Sequence, residues 1–93
     1  MAISSEETAK KIEEILSRDF SPSELEVEDQ SYMHAGHKAA GGGGHFLVTM
    51  KSKRFNGLSP ISRQRLVLDS VRTMMDREIH ALSMKCLPEA DGR

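Results

Sequence analysis

The stretch His45-Phe46-Leu47-Val48-Thr49-Met50-Lys51 decides how the chain is read. Phe46, Val48 and Met50 fall on one side and Leu47, Thr49 and Lys51 on the other, which is the two-residue period of a β-strand. What precedes it is of the opposite kind: His34-Ala35-Gly36-His37-Lys38-Ala39-Ala40-Gly41-Gly42-Gly43-Gly44-His45. Four consecutive glycines have too much backbone freedom to build a packed element. The strand is therefore expected to follow a flexible loop over residues 33–45.

Upstream of that loop, Leu25-Glu26-Val27-Glu28 alternates and runs into Asp29-Gln30-Ser31-Tyr32, an earlier strand. Two successive strands joined directly by a loop pair antiparallel. Before them, Ser4 or Ser5 caps a helix, with Glu7 completing a capping box on Ser4. Ala9, Ile12, Ile15, Leu16 and Phe20 recur at helical spacing, so a helix spans Ser5–Asp19 and stops at Ser21-Pro22-Ser23.

Downstream, Lys53–Leu58 is a turn marked by Asn56-Gly57, and Ser59-Pro60 starts a helix with a cap residue followed by proline. Its apolar stripe is Ile61, Val67, Val71, Met74 and Met75, widened by Leu66 and Leu68, and it ends at Arg77-Glu78. Ile79–Leu87 alternates as a third strand stopped by Pro88, leaving residues 88–93 as a frayed tail. A strand–helix–strand connection makes the second and third strands parallel. The order helix, strand, strand, helix, strand predicts an α+β fold: a two-layer sandwich with a three-stranded mixed sheet and its helices on one face.

At 93 residues the chain is expected to be one domain, residues 1–93. With 38% hydrophobic and 29% charged residues it reads as globular, and a net charge of −1 argues against a general polyanion binder. One cysteine, Cys86, excludes an internal disulfide and a thiolate-only metal cage. No run approaches the ~18 apolar residues of a membrane span. The first residues lack the basic and apolar regions of a signal peptide, so a cytoplasmic location is expected, with an organelle such as the mitochondrion as the alternative if a transit peptide is missing.

Three of the four histidines lie in the loop, and imidazoles suit zinc, copper or nickel. The glycine run offers them no preformed geometry, and spacing alone favours a solvated loop over a zinc site. His80 is different, because it opens the third strand, where alternation groups it with Leu82, Met84 and Cys86. It is read either as a packed histidine or as a fixed ligand facing the loop. A Cys86–His80 nucleophile pair is excluded, since six residues along a strand separate them by about 20 Å. Lys51, Lys53, Arg54, Arg63 and Arg65 flank the turn into the second helix and are the candidates for phosphate contact. Gly41–Gly44 lacks the Lys-Ser/Thr of a phosphate loop, and no acid–base pair stands out for an enzyme.

The order of several short motifs resembles the BolA family. These are Leu25-Glu-Val-Glu-Asp-Gln-Ser-Tyr with His34, His45-Phe46, Ser52-Lys-Arg-Phe55 with Gly57 and Ser59, Arg63 with Arg65-Leu-Val67, and Ile79-His80-Ala81-Leu82-Ser83. The resemblance implies a fold similar to class II KH domains, with a short helical turn around Leu58–Ser62. It implies a non-enzymatic role in iron–sulfur trafficking, with a monothiol glutaredoxin as partner and a [2Fe–2S] cluster shared between the two chains and the partner's glutathione. No cofactor is then expected in the isolated protein. The family's C-terminal histidine falls on His80, its variable loop ligand on His34, and His45 is the reserve ligand. Some bacterial members resemble DNA-binding regulators, so the alternative is a KH-like nucleic-acid-binding regulator of transcription using Lys53, Arg54, Arg63 and Arg65. A weak homodimer is the remaining partner expectation. The chain departs from the family pattern at Gln64, where a histidine is common, and in the Gly41–Gly44 run, so the sequence leaves open which of His34, His37 and His45 is the loop ligand.

Overall fold

A computed structural model of the chain describes residues 4–31, 44–75 and 77–89. The elements are α1 (Ser5–Phe20), β1 (Glu24–Asp29), β2 (Gly44–Ser52), a 3-10 turn (Lys53–Phe55), α2 (Pro60–Ser70), a second 3-10 turn (Arg72–Met74) and β3 (Ile79–Pro88). The α+β order is the expected one. β2 is central in the sheet, antiparallel to β1 and parallel to β3.

Helix α1 forms where its cap and stripe coincide. Ser4 Oγ accepts from the Glu7 amide at 3.1 Å while the Ser4 amide donates to Glu7 Oε1 at 3.2 Å, which completes the capping box. Ile12, Leu16 and Phe20 follow at i, i+4, i+8 and are buried. The helix ends on Ser21, held in the left-handed region at φ 44°, with its amide donating to the Ser17 carbonyl.

Phe46, Val48, Met50 and Ser52 turn one face of β2 into the core, where α1, Phe55, Val67, Val71, Met74 and Ile79 meet them. Leu82, Met84 and Cys86 of β3 and Leu25 and Val27 of β1 pack against the same cluster. At the far end Ser52 Oγ donates to the Phe20 carbonyl at 2.8 Å and accepts from the Arg54 amide at 3.1 Å. Arg54 in turn donates to the Asp19 carbonyl at 2.8 Å and lies 4.9 Å from the centre of the Phe20 ring. The opposite face of the sheet carries the alternate residues: Glu24, Glu26 and Glu28 on β1, His45, Leu47, Thr49 and Lys51 on β2, and Ser83, Lys85 and Leu87 on β3. No described helix packs on it.

Four sequence expectations need correction. Ile61 is not in the apolar stripe and is 58% exposed. Six residues of helix rotate it about 120° from Val67, whereas Val71 and Met74 return to within about 40°. The second helix ends at Ser70 rather than Arg77, tightening into a 3-10 turn after Val71. The short helical turn lies at Lys53–Phe55 rather than Leu58–Ser62, because Ser52 caps it and Phe55 must reach the core. Finally, Pro88 belongs to β3, and the Glu89 amide donates to Asn56 Oδ1 at 2.9 Å, so the tail is held one residue past the strand. Tyr32 and the stretch from 33 to 43, read as strand end and loop, lie outside the described residues, while Gly44 and His45 already belong to β2.

Candidate functional site

The strand pairing determines where His80 points. Gly44 pairs with Ile79 and His45 with Ala81, so β3 carries one extra residue, His80, at a shift of register. Ile79 is buried in the core, and inward packing resumes at Leu82, Met84 and Cys86. Strict alternation back from Leu82 would aim His80 into the core. The bulge reverses the phase for one step, and His80 is exposed instead, beside His45 on the open face of the sheet. The two rings have centres 5.1 Å apart and are inclined at 54°. This corrects the grouping of His80 with Leu82, Met84 and Cys86.

His45 is anchored through its backbone. Its amide donates to Ser31 Oγ at 3.1 Å, and its carbonyl accepts from the Gln30 amide at 2.8 Å. Ser31 is fixed in turn by its amide, which donates to Asp29 Oδ1 at 2.9 Å, the local pattern of an aspartate closing a turn on its own backbone. Burial pushes the Asp29 carboxyl up, but hydrogen bonds from Ser5 and Ser31 outweigh it and hold the group below its ordinary value. Gly44 permits this closure: a Cβ there would lie 2.7 Å from Ser31 Oγ and 2.8 Å from the Phe46 ring. Only a residue without a side chain lets the Ser31 hydroxyl lie over the start of β2. Asp29, Ser31 and Gly44 carry no signal of this role in the sequence beyond the Asp-x-Ser turn pattern.

Two imidazoles on one tetrahedral ion, each with a metal–nitrogen bond of about 2.0 Å, have ring centres roughly 5 Å apart. The His45–His80 pair has that spacing. His34 and His37 lie outside the described residues. Among the described residues no group of three metal-ligating side chains is found. Cys86 does not extend it: the side chain packs on the core side of β3, and burial pushes the thiol pKa up against a smaller opposing effect of Arg63.

The basic candidates divide. Arg63 donates through Nε to the Leu58 carbonyl at 3.0 Å and through a terminal nitrogen to the Cys86 carbonyl at 3.1 Å, pinning α2 to the end of β3. Arg54 is committed to Asp19 and Phe20 as described. Lys53 and Arg65 are exposed, and Lys51 is half-buried on the open face of the sheet.

The BolA family model, described as BolA-like protein, matches residues 16–91. The chain is 40% identical over 83 residues to the chloroplastic protein BOLA1 of Arabidopsis thaliana, covering 85% of this chain and 52% of that one. It is 41% identical over 73 residues to the DNA-binding transcriptional regulator BolA of Vibrio cholerae, covering 78% of this chain and 67% of that one. The chain thus spans about half the length of the plant relative. Among solved structures, the BolA domain of SufE1 from Arabidopsis thaliana superposes with a TM-score of 0.79 at 37% identity, over 95% of this chain and 96% of that one. No described helix is long and apolar enough to cross a membrane. From its match to the family model and its identity to these relatives, the chain belongs to the BolA family.

Proposed function

We propose that the protein is a non-enzymatic adaptor of iron–sulfur trafficking that forms a heterocomplex with a monothiol glutaredoxin and shares a [2Fe–2S] cluster with it. The observation that supports this reading is the His45–His80 pair on the open sheet face, with ring centres 5.1 Å apart. A [2Fe–2S] cluster takes four ligands, and two imidazoles can serve one iron in place of thiolates. The partner's cysteine and its glutathione would supply the other two. Cys86, half-buried on the core side, is not a candidate. His80 is the fixed ligand in this reading. The pairing favours His45 as the second, and His34, the loop ligand that the family resemblance implies, is the alternative at that position.

Co-expression with a monothiol glutaredoxin and anaerobic purification should yield about two irons per heterodimer and a visible circular dichroism spectrum. His80→Ala should abolish that spectrum. An unchanged spectrum and transfer rate in His80→Ala would remove it as a ligand. Comparing His45→Ala with His34→Ala identifies the second.

The second reading is a nucleic-acid-binding regulator. Two bacterial relatives are described as DNA-binding transcriptional regulators, which favours it. The structure supports it less, since Arg54 and Arg63 are each bonded to backbone carbonyls.

A further inference from the structure

We infer that Asn56-Gly57 is a self-modifying site: the asparagine loses ammonia to its glycine neighbour and becomes aspartate or isoaspartate, and the Glu89 amide acts as the latch that sets the rate. The inference involves neither the histidines nor a partner protein. Asn56 is the one asparagine of the chain. It and Gly57 are exposed, on a turn closed by the Leu58 amide donating to the Phe55 carbonyl at 3.2 Å. Asn56 has φ −61° and ψ 129° and Gly57 has φ 77°, the angles of a type II turn. A Cβ added at Gly57 would meet nothing within 4 Å beyond its chain neighbours, so the attacking residue is unhindered.

In the reaction the Gly57 main-chain nitrogen gives up its proton to base and bonds to Asn56 Cγ. The Cγ–Nδ2 bond breaks, and ammonia leaves carrying a proton back. Water then opens the five-membered imide at one of its two carbonyls. One opening leaves an aspartate, and the other an isoaspartate whose main chain is one CH2 longer. The fold restrains the first step twice. The Gly57 nitrogen must swing about the Asn56 Cα–C bond to the side of Cβ, and a ψ of 129° keeps it away, so the turn has to open. Asn56 Oδ1 also accepts from the Glu89 amide at 2.9 Å, which ties the side chain to the end of β3. Release of that strand end frees the side chain to react. The products differ in consequence. Aspartate keeps the acceptor for Glu89 and adds one negative charge. Isoaspartate changes the spacing between Phe55, buried in the core, and Ser59, the cap of α2.

The test incubates the full chain in mildly alkaline buffer and follows the tryptic peptide Phe55–Arg63 by mass spectrometry, with chromatography separating isoaspartate from aspartate. The folded wild type is expected to convert over days, more slowly than the same chain unfolded in urea. Glu89→Pro removes the amide hydrogen while keeping the extended backbone, and it should speed conversion about fivefold, the equilibrium value of one net hydrogen bond. Glu89→Ala keeps the amide and should react as the wild type does. Asn56→Gln should not convert on this timescale, because its longer side chain would have to close a six-membered ring. Hydrogen exchange of the Glu89 amide, expected to be protected in the wild type, reads the latch separately should proline disturb the strand end. No conversion of the folded wild type while the urea-unfolded chain converts, a folded Glu89→Pro variant no faster than wild type, or an unprotected Glu89 amide would each overturn the inference.

Discussion

Ser52 has no charge and no place in the candidate site, yet it carries much of the join between the layers. It is fully buried, and its one hydroxyl serves both the last carbonyl of α1 and the Arg54 amide. Replacing it with alanine takes the partner from the Phe20 carbonyl in a buried position and from the Arg54 amide in a partly buried one. A buried unsatisfied polar group costs about 1–3 kcal/mol, so Ser52→Ala should lower the unfolding free energy by that amount, read as a lower urea midpoint with an unchanged slope. Ser31 has a comparable position at the other end of the sheet, where its hydroxyl faces the His45 amide across Gly44. The serines at positions 31 and 52 look alike in the sequence. Their roles differ because one closes a core and the other closes a site.

At the scale of the element, α1 is a helix whose start is well made and whose end is strained. The capping box satisfies the first turn, while Ser21 holds a left-handed conformation in which a Cβ is crowded. Glycine takes that conformation without penalty. Ser21→Gly should therefore raise the thermal midpoint, with a gain of up to about 1 kcal/mol after the extra entropy of the unfolded glycine is subtracted. In β3 the decisive element feature is the single extra residue. Alternation and bulge make opposite statements about His80, and the bulge prevails because the Ile79 side chain is already buried and Gly44 must pair beside it. A bulge leaves no mark in a one-dimensional pattern, which is why alternation groups His80 with Leu82.

For the whole molecule, both helices lie on one face of the sheet and the histidine pair on the other. Packing of the helices therefore stabilises the fold without covering the face that carries His45 and His80. The same arrangement bears on the nucleic-acid reading. The chain has a net charge of −1, and the open face places Glu24, Glu26 and Glu28 along its β1 edge. Phosphate binding would have to come from exposed cations, Lys53 and Arg65 among them. Phosphate-mediated binding would then show as duplex DNA affinity that falls steeply with salt, measurable by fluorescence anisotropy between low and moderate ionic strength. Binding that is absent, or indifferent to salt, would leave the adaptor reading alone.

The sequence by itself determined the order of elements, the capped starts of both helices, the inward face of β2 and the family. These depend on local periodicity and cap chemistry, which neighbouring residues carry. Through the family resemblance it also singled out His80, His45 and His34 as candidate imidazole ligands, and it left the choice among the loop histidines open. Only the tertiary structure brought His45 beside His80, since that requires a parallel register between residues 35 positions apart, a one-residue bulge in β3 and a serine from beyond β1 clamping the start of β2. It also separated Arg54 and Arg63, which hold carbonyls, from Lys53 and Arg65, which face solvent. Distances of this kind are set by how strands pair across the molecule, and no spacing along the chain encodes them.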